Sequence, residues 1–447
     1  MIGDLSMGRL AQGIRRTWNE TPFLGIPLVC FAITAVLFEP EAVTELYPGA
    51  HKVYQLAGYV VVFLSFLTLL RGHGLPRALP FFLALTASAV GSTALAQDNG
   101  LVLTSVSDLV QAGARSILVC ALVAHELECN RTGFLRGASA YFELLALATL
   151  ATIILWPEGL WRTAYTDEPC FLLGHKNGIL LALLPGIVLV SMRSLDSRGT
   201  LDIRALLHLA VILLSVVMAG SATSAVGATL LLAMALVSRH ATKRLPIGPI
   251  ALLVAGLLLT YCLAVLHIQN LFAPFIEGVL HRSTDLSSRS GIWERAISLI
   301  AQHPLMGTGE LAVVSMRAKL DAFNAHNAYL NTLLCGGWVR MAIYLGGAAV
   351  LGARMRGGAG THLYNMVVAV LAIYAVTGLF EVVVGNMPFM VSMTCCACCD
   401  YLSHGRSRRG ETTRGAAPWS DATGARSAPL RGKAAPASLH GQREGAR

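Results

Sequence analysis

Apolar residues in this chain fall in long runs broken by short polar and basic segments. The first run spans Thr21 to Phe38 and follows Arg15, Arg16, Trp18 and Asn19. Further runs lie near Val53–Leu70, Leu79–Ala96, Leu109–Ala124, Ala140–Trp156 and Gly178–Met192. Others lie near Ala205–Gly220, Ala222–Val237, Ile247–His267, Ala328–Ala353, His362–Val384 and Met387–Leu402. Each is near the length that crosses about 30 Å of hydrocarbon as a helix. The period-two alternation of a β-barrel is missing, so helices are expected to satisfy the backbone. The pattern predicts an all-α, polytopic membrane protein of about twelve transmembrane helices. The first helix is expected to stay uncleaved, because no small-x-small site follows it cleanly and many spans come after it.

Charge supplies the orientation. With the N-terminus in the cytoplasm and alternating spans, the short inside segments hold Arg9, Arg15, Arg16, Arg71, Arg77, Arg131, Arg136, Arg193, Arg198, Arg204, Arg239, Lys243, Arg244, Arg354 and Arg356. The short outside loops hold only Lys52, Arg162 and Lys176. This asymmetry predicts a multi-pass membrane protein with both termini cytoplasmic. The expected layout is a cytoplasmic N-terminus over 1–20 and helices one to nine within 21–267. A long outside loop over 268–325 follows, then helices ten to twelve within 326–402 and a basic, disordered cytoplasmic tail over 403–447. Inside the loop, Gly291–Gln302 reads as a short amphipathic helix stopped by Pro304, with Ile292, Ala296, Leu299 and Ile300 on its apolar face. It is expected on or near the outer membrane surface.

Composition narrows the function classes. Of 447 residues, 55% are hydrophobic and 13% are charged, which excludes an ordinary soluble globule and wholesale disorder. The net charge of +9 comes largely from the tail after Tyr401, so it gives no support to nucleic-acid binding. Ten cysteines fall mostly in apolar runs and suggest no disulfide framework. The run Cys395-Cys396-Ala397-Cys398-Cys399 lacks zinc-site spacing and reads as buried or lipid-facing thiols, with acylation as an alternative. No P-loop, Rossmann fingerprint or HExxH motif occurs, and neither cofactor nor metal is expected.

Several polar groups stand near the predicted outer ends of spans. His326, in Asn324-Ala325-His326-Asn327-Ala328-Tyr329, reads either as an interfacial histidine beside a helix cap or as a general base toward a sugar hydroxyl. Arg289, in Ser287-Ser288-Arg289-Ser290-Gly291, is either a solvated interfacial charge or a fork for phosphate oxygens. Arg115 sits near the outer end of the fourth span, placed to snorkel or to help bind a diphosphate. Arg340 lies deeper in the tenth and calls for an acidic partner that the sequence does not name. Glu381, near the outer end of the eleventh, is a candidate carboxylate of the same site. Gly174-His175-Lys176-Asn177-Gly178 precedes the sixth span on the same side.

These blocks together resemble the O-antigen ligase / polysaccharide polymerase family of membrane proteins. The resemblance spans roughly Leu24 to Leu402 and is strongest between Arg289 and Gly337. It is carried by Arg289, Trp293, His303-Pro304-Leu305, Gly307, Gly309 and then His326-Asn327-Ala328-Tyr329-Leu330. The GHKNG block and Gly378-Leu379-Phe380-Glu381 resemble motifs of exopolysaccharide-production members. The resemblance implies an inverting, metal-independent glycosyltransferase using a polyprenyl-diphosphate-linked glycan, such as an undecaprenyl-diphosphate donor, on the periplasmic face. Arg289 would bind the diphosphate and His326 would activate the acceptor hydroxyl, with Arg115 a looser match. His175, Lys176, Asn177, Trp293, Asn327, Tyr329 and Glu381 would be substrate-binding.

Partners implied are the lipid-linked donor, a glycan or lipid-linked acceptor, membrane lipids and chain-length or export proteins. An exopolysaccharide or O-antigen polymerase is the first expectation and a ligase the second. A secondary transporter is the alternative of another class, although no internal repeat supports it. Two departures stand out. Ser215–Ala225 reads SVVMAGSATSA where relatives often carry Ser-x-Ser-Arg/Lys-Thr, and Cys335-Gly336-Gly337-Trp338-Val339-Arg340 stands where they often show Glu-Leu-Gly-x-x-Gly.

Overall fold

The computed structural model describes residues 26–70, 78–96, 101–163, 167–272, 289–358 and 360–399. The expectations for 1–20, for the part of the long loop over 273–288 and for the tail over 403–447 lie outside the described residues. In chain order the first helices are α1 (Pro27–Leu37), α2 (Glu41–Leu46), α3 (Pro48–Leu70), α4 (Leu79–Leu95), α5 (Val106–Cys129) and α6 (Arg131–Leu155). Three short strands follow: β1 (Trp161–Arg162), β2 (Pro169–Phe171) and β3 (Gly174–His175). Next come α7 (Gly178–Arg198), α8 (Ile203–Met218), α9 (Ala222–His240) and α10 (Pro249–Ala264). The remainder comprises a 3-10 turn (Ile268–Phe272), α11 (Arg289–Gln302), α12 (Val313–Leu320), α13 (Ala328–Gly358), α14 (Thr361–Thr377) and α15 (Met387–Ala397).

Among the described residues six helices, α3, α5, α6, α7, α9 and α13, are long and apolar enough to cross a membrane. Six shorter apolar helices, α1, α4, α8, α10, α14 and α15, coincide with the other runs seen in the sequence. Local chemistry sets several starts. Proline opens α1, α4, α10 and α15, where its missing N–H costs nothing. The side chains of Asp202, Ser221 and Asn386 cap α8, α9 and α15 by accepting from Ala205, Ser224 and Phe389 amides.

Helix α7 is the buried centre, packed against α6, α8, α14 and α15, with Ile179, Leu180, Leu183, Leu184 and Ile187 fully enclosed. Helix α3, by contrast, keeps Val53, Leu56, Tyr59, Val60 and Phe63 exposed, as a lipid-facing helix would. A second apolar cluster joins α11 and α12 to the first turns of α13 through Ile292, Trp293, Ala296, Met316, Leu320 and Leu334.

Segments that alternation assigns to one side touch one another. Ala42 donates to the carbonyl of Leu172, Thr104 to that of Glu310, and Ala312 to that of Val102. At the other end Arg131 pairs with Asp196, while Asn365 binds the amide of Leu245 and the carbonyl of Lys243.

The fold is mostly helical, consistent with the expected all-α membrane protein, with one small addition: β1, β2 and β3 form an antiparallel sheet in that order. Strands of two or three residues are too short to leave an alternating pattern in the sequence. The short amphipathic helix expected before α13 is present as α11. Helix α11 buries Trp293 completely and docks on α13, because its apolar stripe faces protein.

Candidate functional site

The site is built around an interrupted helix. In α13, Gly337 has φ 59° and ψ −162°, which splits the helix in two. Into this break fits the segment His303–Gly309. The amides of Trp338 and Val339 donate to the carbonyls of Pro304 and Leu305 at 2.9 and 3.1 Å. The Thr308 amide and hydroxyl donate to the Leu334 carbonyl at 2.7 and 3.0 Å. Groups orphaned by the break are thus satisfied by another chain segment, as a low-dielectric setting demands. Gly307 crosses so closely that a Cβ there would stand 2.6 Å from the Cys335 carbonyl carbon. The HPLMGTG segment is therefore the plug of the broken helix, which fixes the half of α13 that begins beside His326.

Asn327 pins that start. Its side-chain oxygen accepts from the amides of Tyr329 and Leu330, and its Nδ2 donates to the Leu379 carbonyl and the Thr260 hydroxyl. All four bonds are within 3.2 Å, and the residue is fully buried. Just before it, His326 adopts φ 45°, in the left-handed region, and its amide donates to the Asn324 side chain. Trp293 donates its indole N–H to the Ala325 carbonyl at 3.1 Å. The histidine is held from both flanks.

Glu381 is where the predicted clusters converge. Arg289 Nη2 donates to Oε1 at 2.9 Å and Asn177 Nδ2 to the same oxygen at 3.1 Å. The other oxygen, Oε2, lies 3.7 Å from His326 Nδ1. That nitrogen is sealed from solvent and has no hydrogen-bond partner, although the ring as a whole is 31% exposed. Arg289 and Glu381 are 16% and 17% exposed, so the pair is largely desolvated yet reachable. Arg289 also lies over the Phe380 ring, 5.8 Å from its centroid. Ser221 donates to the Asn177 side chain at 2.8 Å and Ser224 to its carbonyl. Together the two serines hold Asn177, whose side-chain amide reaches Glu381.

The remaining predicted residues divide. His175 and Lys176 do not face this cluster: both bind Glu168, Lys176 at 2.8 Å. Burial works to raise the Glu168 pKa, but hydrogen bonds from Lys176 and His175 outweigh it and hold the carboxyl low. They act as a clip on the small sheet, and only Asn177 of the GHKN block reaches Glu381. Trp293, Asn327 and Tyr329, expected to contact substrate, are buried. Tyr329 donates its hydroxyl to the Ala375 carbonyl at 3.2 Å. Trp293 and Asn327 hold the segment around His326, and Tyr329 also lines an apolar cavity. Arg115 lies exposed on α5 beside Gly58, and no hydrogen bond joins it to Arg289, His326 or Glu381.

The acid owed to Arg340 is Glu310, which ends the plug segment. Arg340 also donates to Ser88 and Ser92 of α4 at 3.3 and 3.1 Å, and the Glu310 amide donates to Thr93. The sequence signal was indirect: Glu310 follows the Gly-Thr-Gly turn directly, and Arg340 follows the Gly-Gly break three residues on.

Below Ala328 and Tyr329 an apolar cavity of about 430 Å³ runs between α4, α10, α13, α14 and α15. Phe81, Leu253, Tyr344, Leu371 and Phe389 line it, and Arg354 stands at its far end. A polar cluster at one end of an apolar cleft suits an amphiphile with an anionic head.

Fold and site thus define a polytopic helical membrane protein with a charged cluster above an intramembrane cleft. Residues 207–345 match the family model described as O-antigen ligase, which supports a membrane protein of the O-antigen ligase/polymerase kind. The match includes Arg289, Glu310, His326 and Arg340, while Asn177 and Glu381 lie outside it. No curated protein matches the chain.

Proposed function

We propose that the protein is an inverting glycosyltransferase that joins polyprenyl-diphosphate-linked glycan units at the outer face of a bacterial inner membrane. The observation that carries this is the meeting of Arg289, His326 and Asn177 on Glu381, directly above an apolar cleft. The short loops on the side of the cluster hold only Lys52, Arg162 and Lys176, which supports the periplasmic assignment. The cleft suits a prenyl chain and Arg289 suits the diphosphate head.

The chemistry follows from the groups present. With its Nδ1–H toward Glu381, His326 offers Nε2 as the base. Nε2 takes the proton of an acceptor hydroxyl as that oxygen bonds to the anomeric carbon of the donor. The bond from that carbon to the diphosphate oxygen breaks, and its electron pair leaves with the lipid diphosphate. Arg289 stabilises the charge developing there. One displacement inverts the anomeric centre and needs no covalent enzyme intermediate. No metal or cofactor enters this scheme.

Polymerisation of repeat units is the preferred reaction, from the likeness of the GHKNG block to exopolysaccharide members. The family description supports a second reading, transfer of a finished glycan to lipid A-core or another acceptor. One experiment addresses both. His326→Ala and Arg289→Ala are expected to accumulate lipid-linked glycan at unchanged protein level. Single repeat units on the lipid identify a polymerase, and long chains on the lipid identify a ligase. Normal glycan from both variants would overturn the transferase reading.

A further inference from the structure

We infer that Glu381 is a positioning residue that couples donor arrival to base activation, an inference that rests on the transferase reading above. Its carboxylate is shared unequally in the structure. One oxygen holds Arg289 and Asn177 at hydrogen-bond distance, and the other stops 3.7 Å from His326 Nδ1. A hydrogen bond to nitrogen needs about 2.7–3.2 Å. His326 Nδ1 therefore faces a carboxylate without bonding it and is closed to water. A buried polar atom left so incurs a desolvation cost that a small movement would relieve.

Arg289 has two anionic claimants. In the structure it serves Glu381. A diphosphate carries more charge and offers a bidentate match to the guanidinium fork, so it competes for the same side chain. As Arg289 turns to the diphosphate, Glu381 loses its main cation and the remaining donor on Oε1 is the neutral Asn177 amide. The nearest other cation in reach is a protonated His326. Closing the gap lets Oε2 accept from Nδ1–H, fixes the tautomer with Nε2 free, and stabilises the imidazolium formed when Nε2 takes a proton. The charged and titratable groups shown facing His326 are Glu381 and, through it, Arg289, carried on two different segments. The base is thus fully assembled only when a donor is present.

The coupling makes an uncommon prediction about sign. Glu381 opposes donor binding, because it holds Arg289, and promotes transfer, because it supports His326. Glu381→Gln keeps an oxygen for Asn177 but lacks the charge. The full-length protein in detergent would be titrated with farnesyl diphosphate, with inorganic pyrophosphate and farnesol as head-only and tail-only probes. Glu381→Gln should bind farnesyl diphosphate about three- to tenfold more tightly than wild type, the worth of one partly buried ion pair. Cells carrying it should make less glycan by about two orders of magnitude, the scale of a misoriented histidine base. Glu381→Asp, which keeps the charge, should not tighten binding.

Equal or weaker binding by Glu381→Gln, with wild type binding and transferring normally, overturns the coupling and leaves the transferase reading intact. Wild type that binds neither diphosphate overturns both. A second measurement needs no altered carboxylate. In nitrogen-15 histidine spectra of wild type, the His326 signal, assigned by its loss in His326→Gln, should gain a strongly hydrogen-bonded Nδ1 proton on adding pyrophosphate. An unchanged Nδ1 signal at saturating pyrophosphate counts against the coupling.

Discussion

The carbonyl oxygen of Leu305 lies 2.2 Å from the point where a Cβ on Gly337 would stand. Only a residue without a side chain lets the plug segment enter the broken helix, and φ 59° excludes most others on backbone grounds as well. Gly337→Ala is therefore expected to destabilise the protein by at least about 2 kcal/mol, combining strain with displacement of the Pro304–Leu305 carbonyls. Thermal unfolding in detergent should show a lower midpoint, and glycan synthesis should fall with it because His326 loses its support. A melt coinciding with wild type would remove the plug from the account.

The Arg340–Glu310 pair is nearly closed to solvent on the arginine side and ties the plug to both α13 and α4. Removing one partner strands a charge, at about 3–5 kcal/mol, whereas removing both leaves none. Arg340→Met and Glu310→Gln should each lower the unfolding midpoint strongly. The double variant should recover much of the loss, giving a coupling of about 0.5–3 kcal/mol in a double-mutant cycle. Additive losses would mean that the two side chains act separately.

Asn327 uses both ends of its amide, and the two ends can be told apart. Asn327→Asp keeps the acceptor that caps the Tyr329 and Leu330 amides. It loses the donors to Leu379 and Thr260 and sets a carboxylate against the Leu379 carbonyl. Burying that unpaired charge should cost more than the plain loss of hydrogen bonds in Asn327→Ala. The order of unfolding midpoints should be wild type, then Ala, then Asp. Asp at or above Ala would show that the cap outweighs the contacts to Leu379.

Much of this could be read in the chain itself. The apolar runs marked the helical segments, and six of the described helices are long and apolar enough to cross a membrane, since a 20-residue stretch with few charges has few other fates there. Arg289, Asn177, His326 and Glu381 could be picked out because polar groups at span ends demand partners, and the topology put them on one side. What could not be read was pairing. Lys176 and Asn177 are neighbours in sequence, yet one turns to Glu168 and the other to Glu381. Trp293 sits in the motif yet is buried against the segment before His326, because motif residues that hold a histidine in place look the same in sequence as those that touch a ligand. The small sheet and the plug in α13 depend on contacts between distant segments, which hydrophobic period does not encode.

The Glu168 clip gives a test by pH. Burial alone would raise this carboxyl above its usual 4.5, but bonds from Lys176 and His175 prevail and lower it. A group whose folded value is depressed stabilises the fold above its unfolded value and loses that contribution as pH falls through the folded one. The clip should therefore hold from neutral pH to about the ordinary carboxylate value and loosen only below it. Hydrogen exchange over β1 to β3, corrected for the intrinsic pH dependence, should show protection retained from pH 7 to about pH 5 in wild type. Glu168→Gln should exchange faster already at pH 7 and vary little with pH, because no carboxyl remains to titrate. Because Lys176 serves this clip, Lys176→Ala should loosen the same amides while leaving farnesyl diphosphate affinity within about twofold of wild type, as expected of a cation outside the diphosphate site. A tenfold loss of affinity in Lys176→Ala would return this lysine to the donor site and refute its role as a clip.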